Sequence, residues 1–120
     1  MSDVKKRVFL IEDDDAIIEV MQLVLTQAGH NAICVDDQLD VLSQLDEVMP
    51  DIIFMDIHYL GMPVQKNIHL IQHNKKTAHI PIVIVSADND IEHIARRTQV
   101  AGFLKKPFEI DELIAFAEKY

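Results

Sequence analysis

A single cysteine, Cys34, leaves no partner for an internal disulfide in this chain of 120 residues. It stands in a short apolar stretch, where a thiol acts as a small core side chain. No apolar run approaches the ~18 residues that a membrane-crossing helix needs, and the N-terminus is polar rather than signal-like. The cytoplasm is therefore the default location. Basic residues are the minority: 11 Lys and Arg stand against 20 Asp and Glu, for a net charge of −9. That balance argues against a dominant nucleic-acid or acidic-membrane surface. The local basic run Lys5-Lys6-Arg7 reads as a solvated lead-in to the first strand. Internal repeats, linkers and low-complexity segments are also missing.

What is present is ordinary for a folded domain: 49% apolar residues and 26% charged. The length suits one domain with one core and no staples. Pro50-Asp51-Ile52-Ile53-Phe54-Met55-Asp56 anchors the pattern, because its four apolar residues run without alternation and end on a carboxylate. Such a run suits a strand buried on both faces of a parallel sheet. Val8 to Ile11, Ala32 to Val35, Ile82 to Val85 and Phe103-Leu104 read as four more strands.

Helical spacing fills the gaps. Ile17, Val20, Met21, Val24, Leu25 and Ala28 share one face after a cap at Asp14 or Asp15, and Gly29 stops that helix. A weaker helix begins at Asp36-Asp37 with Leu39, Leu42, Leu45 and Val48 inward. Ile68, Leu70 and Ile71 are core candidates of the third helix. Asp88 to Asp90 cap the fourth, around Ile91, Ile94 and Ala95, and Ile110, Leu113, Ile114 and Ala117 line the fifth. Strict βα alternation implies an α/β doubly wound sheet with right-handed crossovers; the expected strand order is the flavodoxin-like 2-1-3-4-5.

Chemically unusual residues fall where strands end: Glu12, Asp13, Asp56, Ser86 and Lys106. In the expected order the first strand neighbours the third, which brings Glu12 and Asp13 near Asp56. Three converging carboxylates raise one another's pKa unless a cation intervenes. Oxygen donors without His/Cys ligand spacing favour Mg2+ or Mn2+ over zinc. Such an ion, the Lys106 ammonium and the Ser86 hydroxyl can serve three phosphoryl oxygens, freeing Asp56 to attack phosphorus.

These pieces resemble the receiver domain of the two-component response-regulator family over essentially the whole chain. The matching segments are Val8 to Asp14, Pro50 to Asp56, Pro81 to Ala87 and Lys106-Pro107-Phe108. The resemblance implies that Asp56 is the phosphoacceptor and that Glu12 and Asp13 are the acidic metal pair, Asp13 ligating directly and Glu12 through water. It implies a metal-binding backbone carbonyl at His58, a switch hydroxyl at Ser86, a switch aromatic at Phe103, a phosphate-binding Lys106 and a cis Lys106-Pro107 bond. A sensor histidine kinase or histidine phosphotransfer protein would donate the phosphoryl group. The surface of the fourth helix, fifth strand and fifth helix would then change for a downstream protein, with the domain monomeric or dimerising on phosphorylation. The expectation is a single receiver domain over 1–120, without an output domain, acting as a signalling phosphoacceptor rather than an enzyme.

Departures from the family pattern cluster after Asp56. Leu60 stands where the family commonly has proline, and Pro63-Val64 replaces the usual Asp-Gly. Gln99-Val100 replaces the usual Gly-Ala, shifting flexibility to Gly102. His58 and Asp88 occupy the two positions that the family ties to the lifetime of the phosphorylated form, and Asp88 could pair with His58. His69 and His73 share a helix face without a third ligand and read as solvated. Phe116 and Tyr120 read as helix-edge packing. Two other functions compete. A degenerate receiver would act as a phosphorylation-independent interaction module. A haloacid-dehalogenase phosphatase needs a second aspartate two residues after the first, where His58 stands.

Overall fold

Five parallel strands form one sheet in the order 2-1-3-4-5. They are β1 (Arg7–Ile11), β2 (Asn31–Cys34), β3 (Ile52–Asp56), β4 (Ile82–Ser86) and β5 (Gly102–Lys105). Between and after them run α1 (Asp15–Gln27), α2 (Val41–Val48), α3 (Val64–Gln72), α4 (Ile91–Thr98) and α5 (Ile110–Lys119). This computed structural model describes residues 5–61 and 63–120. The flavodoxin-like order expected from the βα alternation is the one observed.

Alternate residues of each strand feed two cores, one per sheet face. Phe9, Ile11, Ile53, Met55, Ile82 and Ile84 pack against α2, α3 and α4 through Leu45, Ile68, Ile71, Ile91 and Ala95. Val8, Leu10, Ile52, Phe54, Val83 and Val85 pack on the opposite face against Met21, Val24 and Leu25 of α1 and Leu113 and Ala117 of α5. Coverage on both faces explains why these strands are unbroken apolar runs. Each fully buried Phe, Leu or Ile contributes about 1.5–3 kcal/mol of transfer free energy. Cys34 is half-buried against the first core, and burial pushes its thiol pKa up. Phe116 and Tyr120 pack against the second core, as helix-edge residues should.

Several helix boundaries and faces differ from the sequence reading. α2 starts at Val41, not at Asp36-Asp37, because Asp40 takes the cap and accepts from Ser43 N. Asp36 instead closes a turn, its Oδ1 accepting from Gln38 N at 3.0 Å while Gln44 bonds both its N–H and its carbonyl. Leu39 therefore lies before the helix and is exposed rather than inward. Val20, Leu70 and Ile110 are also exposed, each at the edge of an apolar stripe that Met21, Ile71 and Leu113 already fill. At α1 the cap is Asp14, whose Oδ1 accepts from Ala16 N and Ile17 N.

The turn after α4 is made by Gln99, which takes the left-handed conformation at φ 56°. Gly102 is not the flexible point; it is a strand residue whose missing side chain admits Phe116. A Cβ there would lie 2.7 Å from Phe116 Cε1. Gln72 of α3 reaches the end of α4, its amide donating to Thr98 O at 3.1 Å and Gln99 O at 3.4 Å.

Candidate functional site

The register of β1 on β3 pairs Ile11 with Met55, which carries Glu12 to the side of Asp56 just past the strand ends. Asp56 closes β3 and is buried; Glu12 is buried as well, and Asp13 is exposed. One carboxylate oxygen from each of the three lies within 4.8 Å of the others. The convergence expected from topology is thus present in the side chains. The donor set is all oxygen, anionic and half open to solvent, which fits a hard divalent cation of the magnesium type.

Glu12 is the most constrained of the three. Burial raises its carboxyl pKa; a hydrogen bond from Lys106 and the Asp14 backbone N–H work against that rise, while the Asp56 charge adds to it. Lys106 Nζ meets Glu12 Oε1 at 2.9 Å, and Glu12 Oε2 accepts from Asp13 N and Asp14 N at 3.1 and 3.2 Å. Lys106 arrives from the end of β5, and its N–H donates to Ser86 O at 2.8 Å. The Lys106-Pro107 bond is cis, as the resemblance implied.

Ser86 closes β4 and is buried, with Oγ accepting from Asp88 N at 3.0 Å. Its own proton is therefore free to be donated elsewhere. Phe103 of β5 is half-buried against the α2–α3–α4 core. His58 donates its backbone N–H to Asp56 Oδ1 at 3.2 Å, and its carbonyl accepts from Gly61 N at 2.9 Å, leaving one lone pair open. Its ring is exposed and stands 3.9 Å from the Asp88 carboxylate. All the residues singled out at the strand ends thus share this edge of the sheet.

Other candidates fall away from it. His69 and His73 are exposed and stack on each other at 3.9 Å; among the described residues they join no metal-holding group. A cavity of about 300 Å³ between α2 and α3, lined by Leu39, Leu42, Tyr59, Leu60 and Leu70, contains none of the three clustered carboxylates. Two contacts escaped the sequence reading. The Leu60 N–H donates to Asp13 Oδ2 at 3.0 Å, a backbone contact that no side-chain pattern announces. His30 is buried beneath α5, its Nδ1 accepting from Lys6 N and its Nε2 3.5 Å from Glu118.

The profile of the response regulator receiver domain matches residues 8–118. The chain belongs to this family. It is 29% identical over 117 residues to the DNA-binding transcriptional regulator NtrC of Proteus hauseri, covering 96% of this chain and 24% of that protein. It is 31% identical over 115 residues to the phosphate regulon transcriptional regulatory protein PhoB of Escherichia coli K12, covering 92% of this chain and 49% of that one. The receiver therefore spans a quarter to a half of these curated relatives. In fold it is similar to chemotaxis protein CheY4 of Vibrio cholerae, with a TM-score of 0.83 at 17% identity, covering 97% of this chain and 98% of that one. The receiver domain of sensor histidine kinase PA1611 from Pseudomonas aeruginosa, solved with magnesium in its active-site cleft, also scores 0.83, at 19% identity and 98% coverage of both chains. Among the described residues, no helix of this receiver is long and apolar enough to cross a membrane.

Proposed function

We propose that this receiver accepts a phosphoryl group on Asp56 in a Mg2+-dependent reaction and relays it as a change of surface. The observation that carries the reading is the convergence of the Glu12, Asp13 and Asp56 carboxylates beside Lys106 at one sheet edge. Glu12, Asp13, Asp56 and the His58 carbonyl would hold the ion, which when bound neutralises phosphoryl charge and the crowded carboxylates. An Asp56 carboxylate oxygen attacks phosphorus while the phosphorus–nitrogen bond of a donor phosphohistidine breaks. The electron pair leaves with the imidazole. Lys106 exchanges its bond to Glu12 for a phosphoryl oxygen, and Ser86 donates its hydroxyl proton to another.

The donor is a sensor histidine kinase or a histidine phosphotransfer protein. When Ser86 moves toward the phosphate, Phe103 follows inward and the α4–β5–α5 face changes for a downstream protein. β4 and β5 are neighbours in the sheet, with Ser86 facing Lys105 in the register, so a shift of one strand end is felt by the other. The test is incubation with Mg2+ and acetyl phosphate. A mass gain of one phosphoryl group, mapped to Asp56 by peptide sequencing, is expected. No gain, with Mg2+ binding also absent, would leave a phosphorylation-independent interaction module.

His58 and Asp88 stand on either side of the mouth of this site, at the ends of β3 and β4. Together they cover part of the approach that hydrolytic water must take. In His58→Asn, phosphate loss from the phosphorylated protein is expected to speed up by a factor of a few, read from the decay of the phosphoryl mass. Unchanged decay would remove His58 from the lifetime of the phosphorylated form.

A further inference from the structure

The hydrogen bond from Leu60 N–H to Asp13 Oδ2, at 3.0 Å, spans 47 positions of the chain. Leu60 makes it from a single 3-10 turn, Tyr59–Gly61, in which it takes the left-handed conformation at φ 51° and ψ 27° and Gly61 follows at φ 68°. That conformation is unfavourable for a residue with a Cβ. Burial of the side chain does not enforce it, since Leu60 is 46% exposed. What the turn holds in place is backbone: Gly61 N–H on His58 O, and the Leu60 amide aimed at Asp13. Asp13 is itself exposed, and no other hydrogen bond to its carboxylate is present among the described residues. Without Leu60 the carboxylate is free to move among staggered rotamers.

We propose that the Leu60 amide is a positioning donor for metal binding: it holds the Asp13 carboxylate by Oδ2 and so fixes it beside the carboxylates of Glu12 and Asp56. This rests on the reading of Glu12, Asp13 and Asp56 as a divalent-cation site. Hydrogen bonds to ligating carboxylates fix their orientation, and removing such partners commonly weakens metal binding by 10–100-fold. Proline, the common family residue at this place, has no N–H and a φ fixed near −65°. The replacement of proline by Leu60 therefore adds a contact to the site.

The experiment measures Mn2+ affinity by electron paramagnetic resonance and Mg2+ affinity by calorimetry, with circular-dichroism melts to follow the fold. Because Asp13 is open to solvent, the low end of that range applies, and Leu60→Pro is expected to bind either ion about tenfold more weakly. Leu60→Gly keeps the N–H and accepts the left-handed turn, so its affinity is expected to stay within about threefold of the parent. Equal or tighter binding by Leu60→Pro, or equal weakening in both variants, overturns the proposal. Replacing the Tyr59–Leu60 amide by an ester removes the N–H alone; the same tenfold loss is expected, and no loss overturns the proposal even if Leu60→Pro fails to fold. Asp13→Asn separates the two readings. If it binds as the parent does, the metal site itself is wrong; if it binds weakly while the ester does not, only the role of Leu60 is lost.

Discussion

Asp56→Asn will take up no phosphoryl group from acetyl phosphate and Mg2+, while folding at least as well as the parent. The amide has nearly the shape of the carboxylate but lacks its nucleophilic anionic oxygen. The buried end of β3 is thus refilled without a cavity, and its Oδ1 still accepts the His58 N–H. Removing one of three clustered negative charges relieves repulsion on Glu12, whose carboxyl the Asp56 charge pushes up. Metal-free stability is expected to rise by about 1 kcal/mol, a fraction of the unscreened repulsion between charges this close. Stabilisation by Mg2+, which follows ligand concentration over Kd, is expected to shrink. Intact-mass measurement and melts with and without Mg2+ check all three parts. A phosphoryl mass retained at parental level would mean that another carboxylate is the nucleophile and would sink the assignment.

Lys106→Met is expected to slow phosphoryl uptake by about 10²–10³-fold, the usual loss when one preorganised charge facing developing negative charge is removed. It is also expected to destabilise the fold by about 2 kcal/mol at pH 7, less than for a fully buried pair because Lys106 is partly exposed. Glu12 then keeps its burial and the Asp56 charge but loses the ammonium at 2.9 Å. Its carboxyl rises further above the ordinary value. The ion pair stabilises the folded state only while Glu12 is ionised. The difference between parent and variant is therefore full above the Glu12 titration and lost as pH falls through it. In the metal-free parent, burial dominates and holds the folded-state pKa above 4.5. A group of that sign favours the fold most below 4.5, and stability declines as pH rises through the folded value. Urea midpoints across that range test both trends. A stability gap between parent and variant that did not narrow on acidification would exclude Glu12 as its source.

The strands and the strand-end residues were legible because their signals are local. An unbroken run such as Ile52 to Met55 has one satisfactory home, a sheet covered on both faces, and a carboxylate closing it stands out. Helix faces were less legible at their margins. Val20, Leu70 and Ile110 have the spacing of core residues, yet the stripe they border is already filled, and sequence period carries no measure of how wide the neighbouring element is. The start of α2 was misplaced because Asp36, Asp37 and Asp40 all have capping chemistry, and only the Gln44 bonds to Asp36 decide which turn each closes. In the site, side-chain identities gave the cluster, but the engagement of Lys106 with Glu12 and of Leu60 N–H with Asp13 depends on rotamer and backbone angle. Neither leaves a mark in residue type.

The reach of Gln72 to the last carbonyls of α4 has a mechanical consequence. That amide pins the far end of α4 to α3. At the near end, next to Ser86, Asp90 caps α4 with no side-chain hydrogen bond; the entry turn is held by Asp88 Oδ1, which accepts from Asp90 N, and by Lys105 Nζ, which donates to Asn89 Oδ1 at 3.0 Å. Asn89 ties this entry turn to the end of β5, and Ile91 seats the first turn of α4 in the core. A pull applied at Ser86 therefore reaches the start of α4 and the end of β5 together, while Gln72 holds the far end of α4 in place.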